Sequence, residues 1–167
     1  MAVREILLLG NPALYQRCEP VNREELDGLR PVFDDLRDTL LDFRRRFGCG
    51  RAIAAPQIGI LKRLIYWHSE QPRVLANPTL ENLSSEMFTL WDDCMSFPEL
   101  LVKVSRHRSC SVRLTDLSGN EIVIDLNDDS AELLQHECDH LDGILATQRA
   151  IDSRSFALRR ERPSLVG

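Results

Sequence analysis

The 167-residue sequence has no apolar run long enough to cross a membrane, no internal repeat and no low-complexity tract. The apolar stretch Ile6-Leu7-Leu8-Leu9 is too short for a secretory signal. Positive charge is not in excess: 21 Lys and Arg against 26 Asp and Glu leave a formal net charge of −5. That balance argues against a general nucleic-acid surface. The one basic run, Arg44-Arg45-Arg46, falls at the end of an expected helix, where it complements the helix dipole. A disulfide framework is also missing, because the five cysteines are odd in number and scattered at 18, 49, 94, 110 and 138. They fit a reducing cytoplasm. What remains is one cytoplasmic domain over residues 1–167, long enough for a proper core.

Apolar periodicity gives the expected class, α+β. Leu26, Leu29, Phe33, Leu36, Leu40, Phe43 and Phe47 recur at three- and four-residue steps, predicting a long N-terminal helix over 23–47. Gly48-Cys49-Gly50 ends it. Antiparallel strands are expected at 51–55, 63–67, 73–76, 100–104, 109–115 and 121–126, with Asp116-Leu117-Ser118-Gly119-Asn120 as a hairpin loop. A second helix is expected over 129–141, capped by Asp129 with Glu132 completing a capping-box-like pair. The tail beyond about 150 reads as loosely ordered, with weak helical character over 153–160.

The second helix carries the chemistry. His136-Glu137-Cys138-Asp139-His140 is an H-E-x-x-H pattern. Residues four apart share a helix face, so both imidazoles reach one divalent metal. Glu137 then stands where it takes a proton from water held at that metal. Two histidines leave a catalytic metal short of at least one protein ligand, and no histidine follows His140. Cys94 is a candidate, since a thiolate with two imidazoles suits Zn²⁺ or Fe²⁺. On its own, Cys94 reads more readily as a small buried residue.

Three segments, in order, resemble the three motifs of the peptide deformylase family. Gly50-Arg51-Ala52-Ile53-Ala54-Ala55-Pro56-Gln57 is similar to its G-x-G-x-A-A-x-Q, and Asp92-Asp93-Cys94-Met95-Ser96 to its E-G-C-x-S. Gln135-His136-Glu137-Cys138-Asp139-His140-Leu141 matches Q-H-E-x-D-H-L unchanged. Weaker similarity covers 6–12 and 74–78. The resemblance implies metal ligands Cys94, His136 and His140, and Glu137 as general acid and base. It implies the Gln57 amide and the Met95 backbone N–H as donors to the carbonyl oxygen. Fe²⁺ becomes the expected native ion, with Zn²⁺, Ni²⁺ or Co²⁺ as other occupants. The implied substrate is an N-formylmethionyl peptide, met at the ribosome as a nascent chain.

The surroundings depart from the family pattern. Ala52 replaces a glycine and is expected to bring a methyl group towards the substrate backbone, while Arg51 replaces an apolar residue. Asp92-Asp93 stands for Glu-Gly, and the shorter Asp92 leaves its anchoring reach open. Asp129 and Glu132 lie seven and four residues before His136, on its face, where the family is usually apolar and forms the pocket for the methionine side chain. Gly50, Arg51, Ala52, Ile53, Asp92, Asp93, Asp129, Glu132 and Leu133 are therefore the expected substrate-binding set. The acids read equally as an N-cap and a dipole-favoured first-turn residue. In the cleft they would favour a polar, cationic or small N-formyl amine. A metal-binding module without catalysis is a further alternative, opposed by the intact Cys, His, His, Glu and Gln set. His68 and His107 have no motif, His107 reading as solvated between two arginines, and Cys18, Cys49, Cys110 and Cys138 read as structural.

Overall fold

The computed structural model describes residues 2–162. Helix α1 (Arg30–Phe47) buries Phe33, Leu36, Leu40 and Phe43 on one face. Gly48 ends it in the left-handed region at φ 73°. The helix begins seven residues later than the apolar spacing predicts, and 3₁₀ turns Arg23–Glu25 and Asp27–Leu29 precede it. Gly28 is a poor helix former, and Pro31 has no N–H to bond back one turn. A proline is tolerated only in the first turn, and that is where Pro31 sits.

Strands β1 (Ala52–Ala54), β2 (Leu64–Trp67) and β3 (Arg73–Glu81) are followed by β4 (Met87–Asp93), β5 (Leu100–His107), β6 (Ser109–Thr115) and β7 (Glu121–Asn127). A last strand, β8 (Phe156–Leu158), lies in the tail. Antiparallel pairing gives one sheet in the order β1-β2-β3-β6-β7 and a second in the order β4-β5-β8. The loop at 116–120 is the expected hairpin: the Asp116 carboxylate accepts the N–H groups of Ser118 and Asn120, both at 2.8 Å.

Alternation along β1 and β2 divides the core. Ile53, Ala55, Leu64 and Tyr66 pack with α1, and Ala52, Ala54 and Ile65 pack with helix α2 (Asp128–Leu141). Thus α1 and α2 cover opposite faces of the first sheet. Strand β4 was not expected, because Met87–Asp93 lacks clean alternation, yet it pairs with β5 along its whole length. The tail also differs: instead of a helical stretch, β8 pairs Leu100 with Leu158 and Val102 with Phe156. The open edge of β5 satisfies backbone groups that a short isolated helix would leave unpaired. The tail thus lies along β5 through β8, and 163–167 lie outside the described residues.

The start of α2 is a further correction. Asn127, not Asp129, is the N-cap, and its N–H donates to the Ser130 hydroxyl at 3.1 Å. Glu132 has no part in the cap. Both acids are left for other work.

Candidate metal centre and active site

Helix α2 sets His136 and His140 one turn apart, with their Nε2 atoms 3.1 Å from each other. Cys94, at the end of β4, places Sγ 3.3 Å from His140 Nε2. The three donor atoms lie within 4.8 Å of one another, and all three residues are buried. A thiolate and two imidazoles converging from different elements match the donor set of a catalytic divalent metal with one position to spare. The Glu137 Oε2 atom is buried without a hydrogen-bond partner. Such an orphan needs a water or substrate donor. The residues present fit the group.

Partners behind the ligands fix their orientation. His136 Nδ1 lies 2.9 and 3.0 Å from the two Asp92 oxygens. As a donor to Asp92, Nδ1–H leaves the Nε2 lone pair directed at the centre. Asp92 reaches its partner despite being shorter than Glu. Arg106 of β5, buried, donates to Asp92 at 3.0 Å and to Asp139 at 2.6 Å. Burial would raise the Asp92 carboxyl, but His136 and Arg106 outweigh it and hold it down to about 2. For His136, the pull of Asp92 outweighs burial and moves the imidazole well above its ordinary value. Burial, then the neighbouring His136, lowers His140. Burial pushes the Glu137 carboxyl up to about 7.

The opposite wall comes from β1 and the turn after it. Gln57 is fixed by its own backbone, since its Oε1 accepts the Ala54 N–H at 2.9 Å. Its Nε2 is thereby aimed at Cys94 Sγ, 3.5 Å away, and at the Ser96 hydroxyl, 3.3 Å away. Met95 lies in the turn after β4, beside the thiolate. The Arg51 carbonyl bonds to His68 N–H on the β2 side, so by alternation Ala52 turns its backbone groups to the open edge of the sheet. An extended peptide has a place to pair there.

These groups line a cavity of about 470 Å³. Of the expected substrate-binding residues, Gly50, Arg51, Ala52, Asp92, Asp93, Asp129, Glu132 and Leu133 line it. Ile53 does not. It is fully buried against α1, on the other face of β1. Ala52 both lines the cavity and packs in the core cluster under α2. His107 is half-buried rather than solvated: its Nδ1 lies 2.6 Å from the Ser84 carbonyl. Cys138 faces the core, as expected, whereas Cys49 lines the cavity. Arg159 was missed. It follows β8, pairs with Asp93 at 2.7 Å and donates to the Pro98 carbonyl at 2.7 Å. No local signal marks it, or Arg106, as part of the site.

The family model for polypeptide deformylase matches residues 3–156. The chain belongs to the polypeptide deformylase family. Among its relatives, peptide deformylase 1 of Prochlorococcus marinus (strain MIT 9313) is 35% identical over 173 residues, covering 96% of this chain and 88% of the relative. The peptide deformylase of Pseudothermotoga lettingae is 33% identical, covering 98% and 92%. The crystal structure of peptide deformylase from Thermotoga maritima superposes with a TM-score of 0.83 at 27% identity, over 91% of this chain and all of that one. The class I type b peptide deformylase of Acinetobacter baumannii gives 0.82 at 31%, over 89% and 100%. The two antiparallel sheets and the long N-terminal helix are thus those of the family.

Proposed function

We infer that this protein is a metal-dependent hydrolase that removes the formyl group from the N-terminus of N-formylated nascent peptides, releasing formate. The observation that carries the reading is the convergence of Cys94, His136 and His140 beside a buried, unpartnered Glu137 carboxylate. Family membership supplies the reaction class. Cys94, His136 and His140 would hold one divalent ion. Fe²⁺ is the ion we assign on the family resemblance, with Zn²⁺, Ni²⁺ and Co²⁺ as substitutes. When bound, the ion would supply Lewis acidity to the formyl carbonyl and lower the pKa of a bound water.

The chain's own residues do the rest. An extended substrate pairs with the free edge of β1 at Ala52 and presents its formyl group at the floor of the cavity. Glu137 accepts the proton of the attacking water and passes it to the departing amine nitrogen, which is otherwise a poor leaving group. A carboxyl whose resting value is near 7 suits both halves of that transfer. The Gln57 Nε2–H and the Met95 backbone N–H donate to the oxygen as it gains negative charge. The hold of Ala54 on Gln57 Oε1 keeps that donor in place before the substrate arrives. A nascent chain in the cytoplasm is the setting that this chemistry serves.

Formate release from N-formyl-Met-Ala, before and after chelation and after metal is restored, tests the reading. Metal-restored release supports it. No release from any N-formyl peptide by a protein with one bound ion per chain contradicts it and favours a binding module.

A further inference from the structure

A charge pair stands on the wall of the reaction cavity. Arg51, in the turn before β1, crosses to α2, where its guanidinium pairs with the Glu132 carboxylate. Its other nitrogen donates to the Asp129 carbonyl at 3.1 Å. Glu132 lies one turn before His136, and its side chain is 5% exposed against 47% for Arg51. The Asp129 carboxylate lies at the same wall, and Leu90 and Leu133 add apolar surface. A formamide held at Cys94, His136, His140 and Glu137 leaves the part of this cavity lined by Leu133 and Glu132 open to the side chain of the first residue.

Three kinds of side chain meet that wall differently. An apolar one strips water from the pair and returns no hydrogen bond. An anionic one draws Arg51 away and leaves Glu132 buried, unpaired and beside a like charge. A cationic one takes the place of Arg51 on Glu132 and releases a half-exposed guanidinium to solvent. No buried charge is left alone, and the methylene stem lies along Leu133 and Leu90. Arg51 therefore occupies the position that a substrate cation would fill.

We propose that this cavity prefers N-formyl substrates whose first side chain carries an ammonium or guanidinium group over those with an apolar one, with Glu132 as the recognising residue and Arg51 as its internal placeholder. The proposal rests on the deformylase reading given above; it ranks the N-formyl compounds that this cavity turns over, N-formylmethionyl nascent chains among them, and leaves that activity in place. The test compares kcat/KM for N-formyl-Lys-Ala, N-formyl-Met-Ala and N-formyl-Gly-Ala with metal-loaded protein, its Glu132→Leu variant and its Arg51→Ala variant. Calorimetry of the products Lys-Ala and Met-Ala gives a second readout that needs no turnover. The native protein should favour formyl-Lys over formyl-Met by at least about tenfold, the scale of one charge-assisted hydrogen bond. Glu132→Leu should reverse that ratio, and Arg51→Ala should widen it by removing the competitor. Lys-Ala should bind more tightly than Met-Ala.

A native ratio that is level or favours formyl-Met, or one that Glu132→Leu leaves unmoved, overturns the proposal while the deformylase reading stands. If no formyl compound is hydrolysed, the deformylase reading falls instead. The product affinities then decide the charge preference by themselves, and equal affinities overturn it.

Discussion

Asp92 joins the metal centre to the rest of the protein, holding His136 on one side and Arg106 on the other. A ligand histidine whose second nitrogen loses its carboxylate partner binds metal about 10–100-fold more weakly. Asp92→Asn should show that loss in competition against a chromophoric chelator, and an unchanged affinity would contradict the orienting role. A second carboxylate answers to pH. Asp35 of α1 accepts Arg4 Nε at 2.7 Å and the Ala2 N–H at 2.8 Å, tying down the N-terminal strand of chain. The bond from Arg4, against the opposing effect of burial, holds the Asp35 carboxyl below its ordinary 3.8. A depressed carboxyl stabilises the fold above the unfolded value and loses that contribution as pH falls through the folded one. Asp35→Asn should therefore be less stable than the native chain at neutral pH. The two urea midpoints should converge as pH falls below 3.8. A gap that stays constant with pH would show that the strap does not depend on the Asp35 charge.

Among the elements, α2 was the most legible in sequence, because H-E-x-x-H needs only helix periodicity to bring its two imidazoles together. Cys94 was ambiguous alone, since its role depends on β4 ending beside α2, and β4 lacks the alternation that would mark it as a strand. Arg106 and Arg159 were illegible for a related reason: each reaches the site through sheet pairing, which joins residues far apart in the chain. Ile53 was misplaced because consecutive strand residues face opposite ways, so Ala52 can line the cleft under α2 while Ile53 enters the α1 core, and Arg51 lies before β1, outside that alternation. The end of α2 allows a sharp test. Gly143 sits at φ 73°, and a Cβ there would come within 2.5 Å of the Tyr15 carbonyl oxygen. Gly143→Ala should cost on the order of 2–4 kcal/mol in urea unfolding, from the left-handed backbone and the overlap together. A loss under about 0.5 kcal/mol, the scale of an ordinary surface substitution, would show that the contact yields easily.

Across the whole molecule, the first sheet serves as a partition. Both sides hold core, and the α2 side also carries His136 and His140 at the edge where β1 is open. The second sheet closes the site from behind, delivering Asp92 from β4, Cys94 from the residue that follows β4, and Arg106 from β5. The tail strand β8 then brings Arg159 to the mouth. Removing β8 should thus reach the site from a distance, and a chain ended after Ser155 should lose the Asp93–Arg159 pair and weaken substrate binding. The measurement is KM, which should rise while bound metal stays at one ion per chain, and an unchanged KM would exclude β8 from the site. The central claim, that Glu137 moves the proton within a Cys–His–His metal site, is tested most directly by Glu137→Gln. Formate release from N-formyl peptide should fall by about 10²–10⁴-fold, the usual reach of a general acid–base group, with one metal ion per chain retained. A variant that keeps both its metal and its activity would contradict the account.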